Sequence, residues 1–271
     1  MASHQPRKRF GQNFLKSDAV IDRIVASIAP ARDDDVIEIG PGLGALTGPL
    51  LERLDQLQVI ELDRDLAAHL HDRLGQPAHL VIHQADALRV DYADYARSMG
   101  AESGLRIVGN LPYNISTPLL FHLLDFTDCV RDMHVMLQKE VVDRLTAPPG
   151  HKTYGRLSVM AQFRAACTAL FVVPPEAFDP APKVDSAVIR MVPRPLSPEA
   201  SALLPALDAV VRQAFSQRRK TLRNTLKGTV ESDRMIELGI EPGRRAETLS
   251  LDEFIALART VLPNIDSMAS R

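Results

Sequence analysis

The sequence predicts an α/β protein, a doubly wound and mostly parallel sheet followed by a small all-helical C-terminal domain. Three observations carry this expectation. Short apolar runs alternate with segments of helical periodicity between residues 36 and 145, the pattern of strands joined by crossover helices. A glycine-rich turn, Glu38-Ile39-Gly40-Pro41-Gly42-Leu43-Gly44, directly follows the first of those runs. After Pro193, Pro195 and Pro198 the periodicity is helical only, so the chain is divided into domains at 1–192 and 198–271.

Ser17 offers an N-cap, and Val20, Ile21, Ile24, Val25 and Ile28 recur at helical spacing before Pro30, so a helix precedes the sheet. Strands are then expected over 36–39, 58–62, 80–83 and 106–109, with helices over 45–54, 65–74 and 118–124. A further strand over 133–137, a helix over 140–145 and an alternating strand over 184–192 complete the same sheet. Beyond the prolines, Ser250 followed by Glu253 reads as a capping box that opens a last helix.

With 271 residues, 45% hydrophobic and 24% charged, the chain has apolar material for one large core and a small second one. Arg7, Lys8 and Arg9 are followed by Phe10-Gly11-Gln12-Asn13 rather than by an apolar signal core, and charged residues interrupt every apolar run. The expectation is a cytoplasmic protein without a secretory signal or membrane segment. Cys129 and Cys167 are far apart and lack ligand spacing, which points to neither a disulfide framework nor a metal site. The net charge of −2 hides one dense basic stretch: Arg212, Arg218, Arg219, Lys220, Arg223 and Lys227 occur without an intervening acid.

The glycines of the 38–44 turn allow the backbone to bend sharply and approach a ligand, and the helix expected after it would offer free amides to an anionic group. Gly40, Gly42 and Ala45 also satisfy the dinucleotide pattern, and Glu61, at the next strand end, can hold a ribose diol for either type of cofactor. A tight strand-to-helix turn with no ligand is the plainer alternative. Asp86, after the third strand, lies at the same edge and can accept from an adenine amine, although a lone Asp at a strand end is often a helix cap.

Asn110-Leu111-Pro112-Tyr113 ends the fourth strand at that edge. Alkylating an aromatic amine is difficult because the nitrogen lone pair is delocalised into the ring. The Asn110 side-chain oxygen and the carbonyl of Leu111 or Pro112 can accept the amine hydrogens and localise that pair, with proline holding the loop rigid. Tyr113 offers an aromatic face to a base that has left its stack. An Asx turn before proline would equally account for the tetrapeptide. Phe178 precedes Asp179-Pro180-Ala181-Pro182-Lys183-Val184-Asp185-Ser186, where it reads either as a second wall for the base or as a core phenylalanine at a loop edge. Arg218, Arg219, Lys220 and Arg223 would gather on one side of a helix, as a phosphate-binding surface or as an ordinary solvated face.

Together these segments resemble the ribosomal RNA adenine dimethyltransferases, on their bacterial small-subunit branch, over nearly the whole chain. Lys8-Arg9-Phe10-Gly11-Gln12-Asn13-Phe14-Leu15 resembles the family's cofactor-closing segment, which implies that Asn13 and Leu15 touch the cofactor. Residues 178–186 resemble its second base-clamping loop, and Phe215-Ser216-Gln217-Arg218-Arg219-Lys220-Thr221-Leu222-Arg223-Asn224 resembles its helical RNA-binding domain.

The resemblance implies a Rossmann-like class I methyltransferase sheet and S-adenosylmethionine as cofactor, bound by Asn13, Leu15, Gly40, Gly42, Glu61, Asp86 and Asn110. It assigns catalysis to Asn110, Leu111, Pro112, Tyr113 and Phe178, and RNA binding to Arg218, Arg219, Lys220 and Arg223. The implied reaction dimethylates two adjacent adenosines in a hairpin near the 3′ end of 16S rRNA, within an assembling 30S subunit. No metal or membrane takes part, and the chain acts as a monomer. Three rivals remain at this point: a macrolide-resistance type of large-subunit methyltransferase, a nicotinamide-dependent oxidoreductase, and a non-catalytic ribosome assembly factor.

Overall fold

The computed structural model describes residues 13–268. The expected start of the cofactor-closing segment, Lys8-Arg9-Phe10-Gly11-Gln12, lies outside the described residues. In chain order the elements are β1 (Phe14–Leu15), α1 (Asp18–Ile28), β2 (Val36–Ile39), α2 (Thr47–Leu51), β3 (Leu57–Glu61), α3 (Arg64–Arg73), β4 (Leu80–Gln84), α4 (Tyr92–Met99), β5 (Leu105–Asn110) and α5 (Ser116–Leu124). There follow β6 (Val130–Gln138), α6 (Lys139–Leu145), α7 (Arg156–Arg164), β7 (Ala165–Val173), β8 (Phe178–Asp179), β9 (Ser186–Pro193), α8 (Pro198–Ala214), α9 (Leu222–Thr225), α10 (Ser232–Glu237) and α11 (Leu251–Met268).

Seven strands form one sheet in the order β4-β3-β2-β5-β6-β9-β7. The run from β4 to β6 is parallel, and β9 is antiparallel to both β6 and β7. Every residue of β2 and β3 is buried, as a parallel sheet covered on both faces requires, which is why these strands read as largely apolar runs broken only by Glu38, Gln58 and Glu61. Ile21, Ile24, Val25 and Ile28 of α1 join Val36, Leu57 and Val59 in one core cluster. The chain runs from β2 outward to β4 and then returns to β5 on the other side of β2. The carboxyl ends of β2 and β5 therefore diverge at the switch point where open α/β sheets bind ligands. At the opposite end of β5, buried Arg106 donates to Asp132 at 2.9 Å and to Asp34 at 2.7 Å, which pairs the cation that the strand carries inside.

Several expectations are corrected. The helix expected over 45–54 is only the five residues of α2, because Pro49 lacks an N–H and the 42–46 segment is a succession of turns. α4 is an unexpected helix; Asp91 caps it, its carboxylate accepting from Ala93 and Asp94 N–H groups at 2.9 and 3.1 Å. α7 and the edge strand β7 are also unexpected, as is the small antiparallel sheet of β1 and β8.

Chain packing separates two compact units, one comprising residues through Val142 with Ala165–Arg194, the other Asp143–Arg164 with the chain from Pro195 onward. The boundaries expected at 1–192 and 198–271 miss that residues 143–164 group with the helices. Tyr154 Oη donates to the Leu249 carbonyl at 3.0 Å, and Arg156 pairs with Asp208 at 2.8 Å. In this second unit Ser250 and Glu253 form the expected capping box, with reciprocal bonds of 2.7 and 3.2 Å. Among the described residues no helix is long and apolar enough to cross a membrane.

Candidate active site

The turn after β2 is built around two carboxylates. Gly40 and Gly42 hold φ of +67° and +55°, and a Cβ added to Gly42 would lie 3.2 Å from the Phe14 ring, so a side chain there would be strained and crowded. Glu61, at the end of β3, uses one oxygen to accept from Gly42 N–H at 3.3 Å and the other from Asp63 N–H at 2.9 Å. Glu38, at the end of β2, accepts from the Thr47 hydroxyl at 2.7 Å and is 2% exposed. Burial, with the like charge of Glu61 nearby, pushes the Glu38 carboxyl up to about 7, and burial raises Glu61 as well. The Gly44 amide bonds to the Pro41 carbonyl at 2.8 Å, so Gly44 closes the turn while Gly42 serves Glu61.

These groups wall an open cavity at the carboxyl edge of the sheet. The wall includes Asn13, Phe14 and Leu15 of the N-terminal segment, Glu38 and Gly40, Glu61 and Leu62, Asp86, and Asn110 through Ile115. A mostly apolar lining with a few convergent polar groups is the character of a small-molecule site. Asp86 Oδ1 accepts from Leu88 N–H at 3.0 Å and so caps the turn after β4, while Oδ2 lies 3.7 Å from Arg89.

The tetrapeptide after β5 is held at each position. Asn110 Nδ2 donates to the main-chain carbonyl of Asn13 at 3.0 Å. Leu111 N–H bonds to the Met136 carbonyl at 3.2 Å, and the Pro112 carbonyl accepts from Ile115 N–H at 3.1 Å. The Tyr113 hydroxyl pairs with the Ser186 hydroxyl at 2.7 Å, which fixes one edge of a half-buried ring. Gly109 precedes them, and a Cβ there would fall 2.4 Å from the Ile39 carbonyl oxygen. Only glycine lets β5 approach β2 that closely where the two site loops depart.

Phe178 does not join this wall. Its side chain is 1% exposed and belongs to the core cluster with Leu15, Ile24 and Ala177, while its backbone pairs with Leu15 across β1 and β8. The core reading of this phenylalanine is the one the structure displays, and the expected second wall for a base is corrected accordingly.

The basic stretch lies in the second unit and is not a continuous helix. Arg218, Arg219 and Lys220 occupy turns after α8, and Arg223 sits in the single-turn α9. Arg218 pairs with Glu247 at 3.2 Å and also donates to the Lys152 carbonyl, so its acid comes from outside the acid-free stretch. Arg219, Lys220 and Arg223 are exposed and form no ion pair with a described residue. Among the described residues no group of three or more His, Cys, Asp or Glu is placed to hold a metal.

The family model for ribosomal RNA adenine dimethylase matches residues 3–261 of the chain. The chain belongs to the ribosomal RNA adenine dimethylase family. It is 56% identical over 260 residues to the ribosomal RNA small subunit methyltransferase A of Acinetobacter baylyi, covering 96% of this chain and 94% of that one. Its fold is similar to the crystal structure of a dimethyladenosine transferase from Plasmodium falciparum, with a TM-score of 0.76 and 25% identity over 90% of this chain and 95% of the other. The 23S rRNA methyltransferase ErmE shares the fold, with a TM-score of 0.70 and 23% identity over 92% of this chain and 99% of the other.

In this dimethylase-family chain, Glu38 is a site residue to which sequence reasoning assigned no role. The signal was present, since an acid inside an otherwise apolar strand requires a buried partner or a ligand. Leu62 is 51% exposed at the cavity wall. In the sequence it reads only as the end of a strand.

Proposed function

We propose that this chain uses S-adenosylmethionine to dimethylate the exocyclic amines of two adjacent adenosines in a hairpin near the 3′ end of 16S rRNA. It would act as a cytoplasmic monomer on the assembling 30S subunit. The observation that carries this reading is that Glu61, Asp86 and Asn110 come from three separate strand ends yet wall one cavity, in a chain matched almost end to end by the dimethylase model.

The residues present fit the cofactor. The Glu61 carboxylate keeps lone pairs beyond its two backbone bonds for a ribose diol. Ile60, Leu62 and Leu66 provide apolar contact for a purine beside the Asp86 carboxylate. Glu38 places a buried acid where a cationic tail is welcome, and Gly40 allows the backbone to approach it. Asn13, Phe14 and Leu15 close one side of the cavity. When bound, S-adenosylmethionine supplies an electrophilic methyl on a sulfonium, which passes to the adenine amine nitrogen with loss of one amine proton and leaves a neutral thioether.

The chain's task is then to present the amine. Asn110 Oδ1 and a backbone carbonyl accept the amine hydrogens, and because Pro112's carbonyl already serves Ile115 N–H, Leu111 is the better second acceptor. Both stabilise the positive charge that develops on the amine nitrogen. Tyr113, fixed by Ser186, offers its face to the flipped base. Phe178 pairs with Leu15 and packs with it in the core. Arg219, Lys220 and Arg223 bind RNA phosphates, with Arg218 fastening their turn through Glu247. The test is transfer of labelled methyl from S-adenosylmethionine to isolated ribosomal subunits. Label on small-subunit RNA supports the proposal, whereas label only on large-subunit RNA, or none, rejects it.

A further inference from the structure

A side-chain amide has two chemically opposite ends that rotation exchanges, and only its oxygen can accept a hydrogen bond from an amine. The use of Asn110 as an acceptor therefore depends on which way its amide is turned. Asn13 contributes a main-chain carbonyl at 3.0 Å. A carbonyl only accepts, so the Asn110 atom facing it must be the nitrogen, and the oxygen is left for another donor.

That carbonyl is itself well anchored. Phe14 and Leu15 pair with Asp179 and Phe178 in the two-stranded sheet. Lys16 N–H bonds to the Ala177 carbonyl at 2.8 Å. The Phe14 ring lies over Gly42, and Leu15 is in the core cluster. None of these contacts involves Asn110, which lies 97 residues from Asn13 in sequence. The same three residues, Asn13, Phe14 and Leu15, wall the cavity.

We propose that Asn13, Phe14 and Leu15 form a positioning element for Asn110: the Asn13 carbonyl sets the orientation of the Asn110 amide, so that the residues that wall the cavity also arm the acceptor. With the segment displaced, the cavity loses a wall and Asn110 loses the partner that distinguishes its two ends. A turned amide would present N–H groups to the substrate amine, donor against donor, and transfer would stall. The catalytic consequence rests on the methyl-transfer reading above, but the clamp itself does not.

The test replaces Phe14 with phenyllactic acid in the full-length chain. The ring stays, while the Asn13 carbonyl becomes an ester carbonyl, a weaker acceptor, and the N–H of residue 14 is lost. With saturating cofactor and RNA, the single-turnover rate should fall about fivefold, the scale of one neutral hydrogen bond. The same replacement in an Asn110→Ala background should produce no further loss, because any effect of the missing N–H or of the segment's fold would persist there. Equal slowing in both backgrounds overturns the proposal. A second readout needs no activity: the side-chain amide protons of Asn110, assigned by their loss in Asn110→Ala, should move towards the non-bonded position in the ester protein. Unmoved resonances overturn the clamp. If the unmodified protein transferred no methyl group at all, the functional reading would fall, and the resonances would still decide whether Asn13 holds Asn110.

Discussion

Glu38 provides a quantitative test of the site's electrostatics through Glu38→Gln, which keeps an acceptor for the Thr47 hydroxyl and removes the ionisable group. In the unfolded chain the carboxyl titrates near 4.5, whereas in the folded protein burial raises it to about 7. Between those values the native state holds a proton that the unfolded chain has released, so wild-type stability falls as pH rises through the window. At about 1.4 kcal/mol per pH unit, the full displacement is about 3 kcal/mol. Glu38 is 2% exposed, so solvent does not screen this cost. The variant and wild type should differ little below pH 4.5. Above pH 7 the variant should be the more stable by about 3 kcal/mol, or about 6 to 12 °C in melting temperature. Denaturant titrations without cofactor, repeated across pH 4 to 9, measure the difference directly. A constant difference across that range, or a wild type more stable than the variant at alkaline pH, would refute the reasoning.

Asn110→Ala should bind cofactor and RNA while the single-turnover rate drops about 100-fold or more; a near wild-type rate would remove Asn110 from the chemistry. Phe178→Ala empties a core position beside Leu15 of β1 and should cost about 3 to 5 kcal/mol of stability together with weaker cofactor binding. Unchanged stability with loss confined to the RNA reaction would restore the ring to the base pocket. Replacing Arg219, Lys220 and Arg223 with Gln should weaken small-subunit binding and reduce its log-log salt slope by about 0.7 to 0.9 for each phosphate no longer neutralised. An unchanged slope in the folded variant would return these residues to a solvated surface.

The parallel strands were legible because a strand buried on both faces is mostly apolar, and the glycines that directly follow the Val36–Ile39 run mark where the first of them ends. That Glu61, Asp86 and Asn110 would line one cavity was legible because each lies at or just beyond a strand end at the same edge. Other elements failed for physical reasons. α7 and β7 abut at Arg164 and Ala165 with no glycine or proline between them, so no turn signal divides the apolar stretch. The burial of Phe178 is set by pairing with Leu15, a partner far away in sequence and therefore outside any local pattern. Lack of nearby acid suggested six uncompensated cations, but Glu247 reaches Arg218 from another turn. The segment is bent rather than helical because Leu222 N–H and Arg223 N–H bond to the Arg244 and Pro242 carbonyls at 2.8 and 3.0 Å, bonds that a continuous helix would have directed within itself.

The identity of the product is the property that decides the function most directly. Small ribosomal subunits lacking the modification, incubated with the protein and S-adenosylmethionine bearing a heavy methyl group, should yield a 3′-terminal RNA fragment heavier by four labelled methyl groups, two on each of two neighbouring adenosines. The Asn110→Ala protein should leave most of that fragment unmodified under the same conditions. Label on a single adenosine, label on another base, or an unmodified fragment with the wild-type protein would contradict the proposed function.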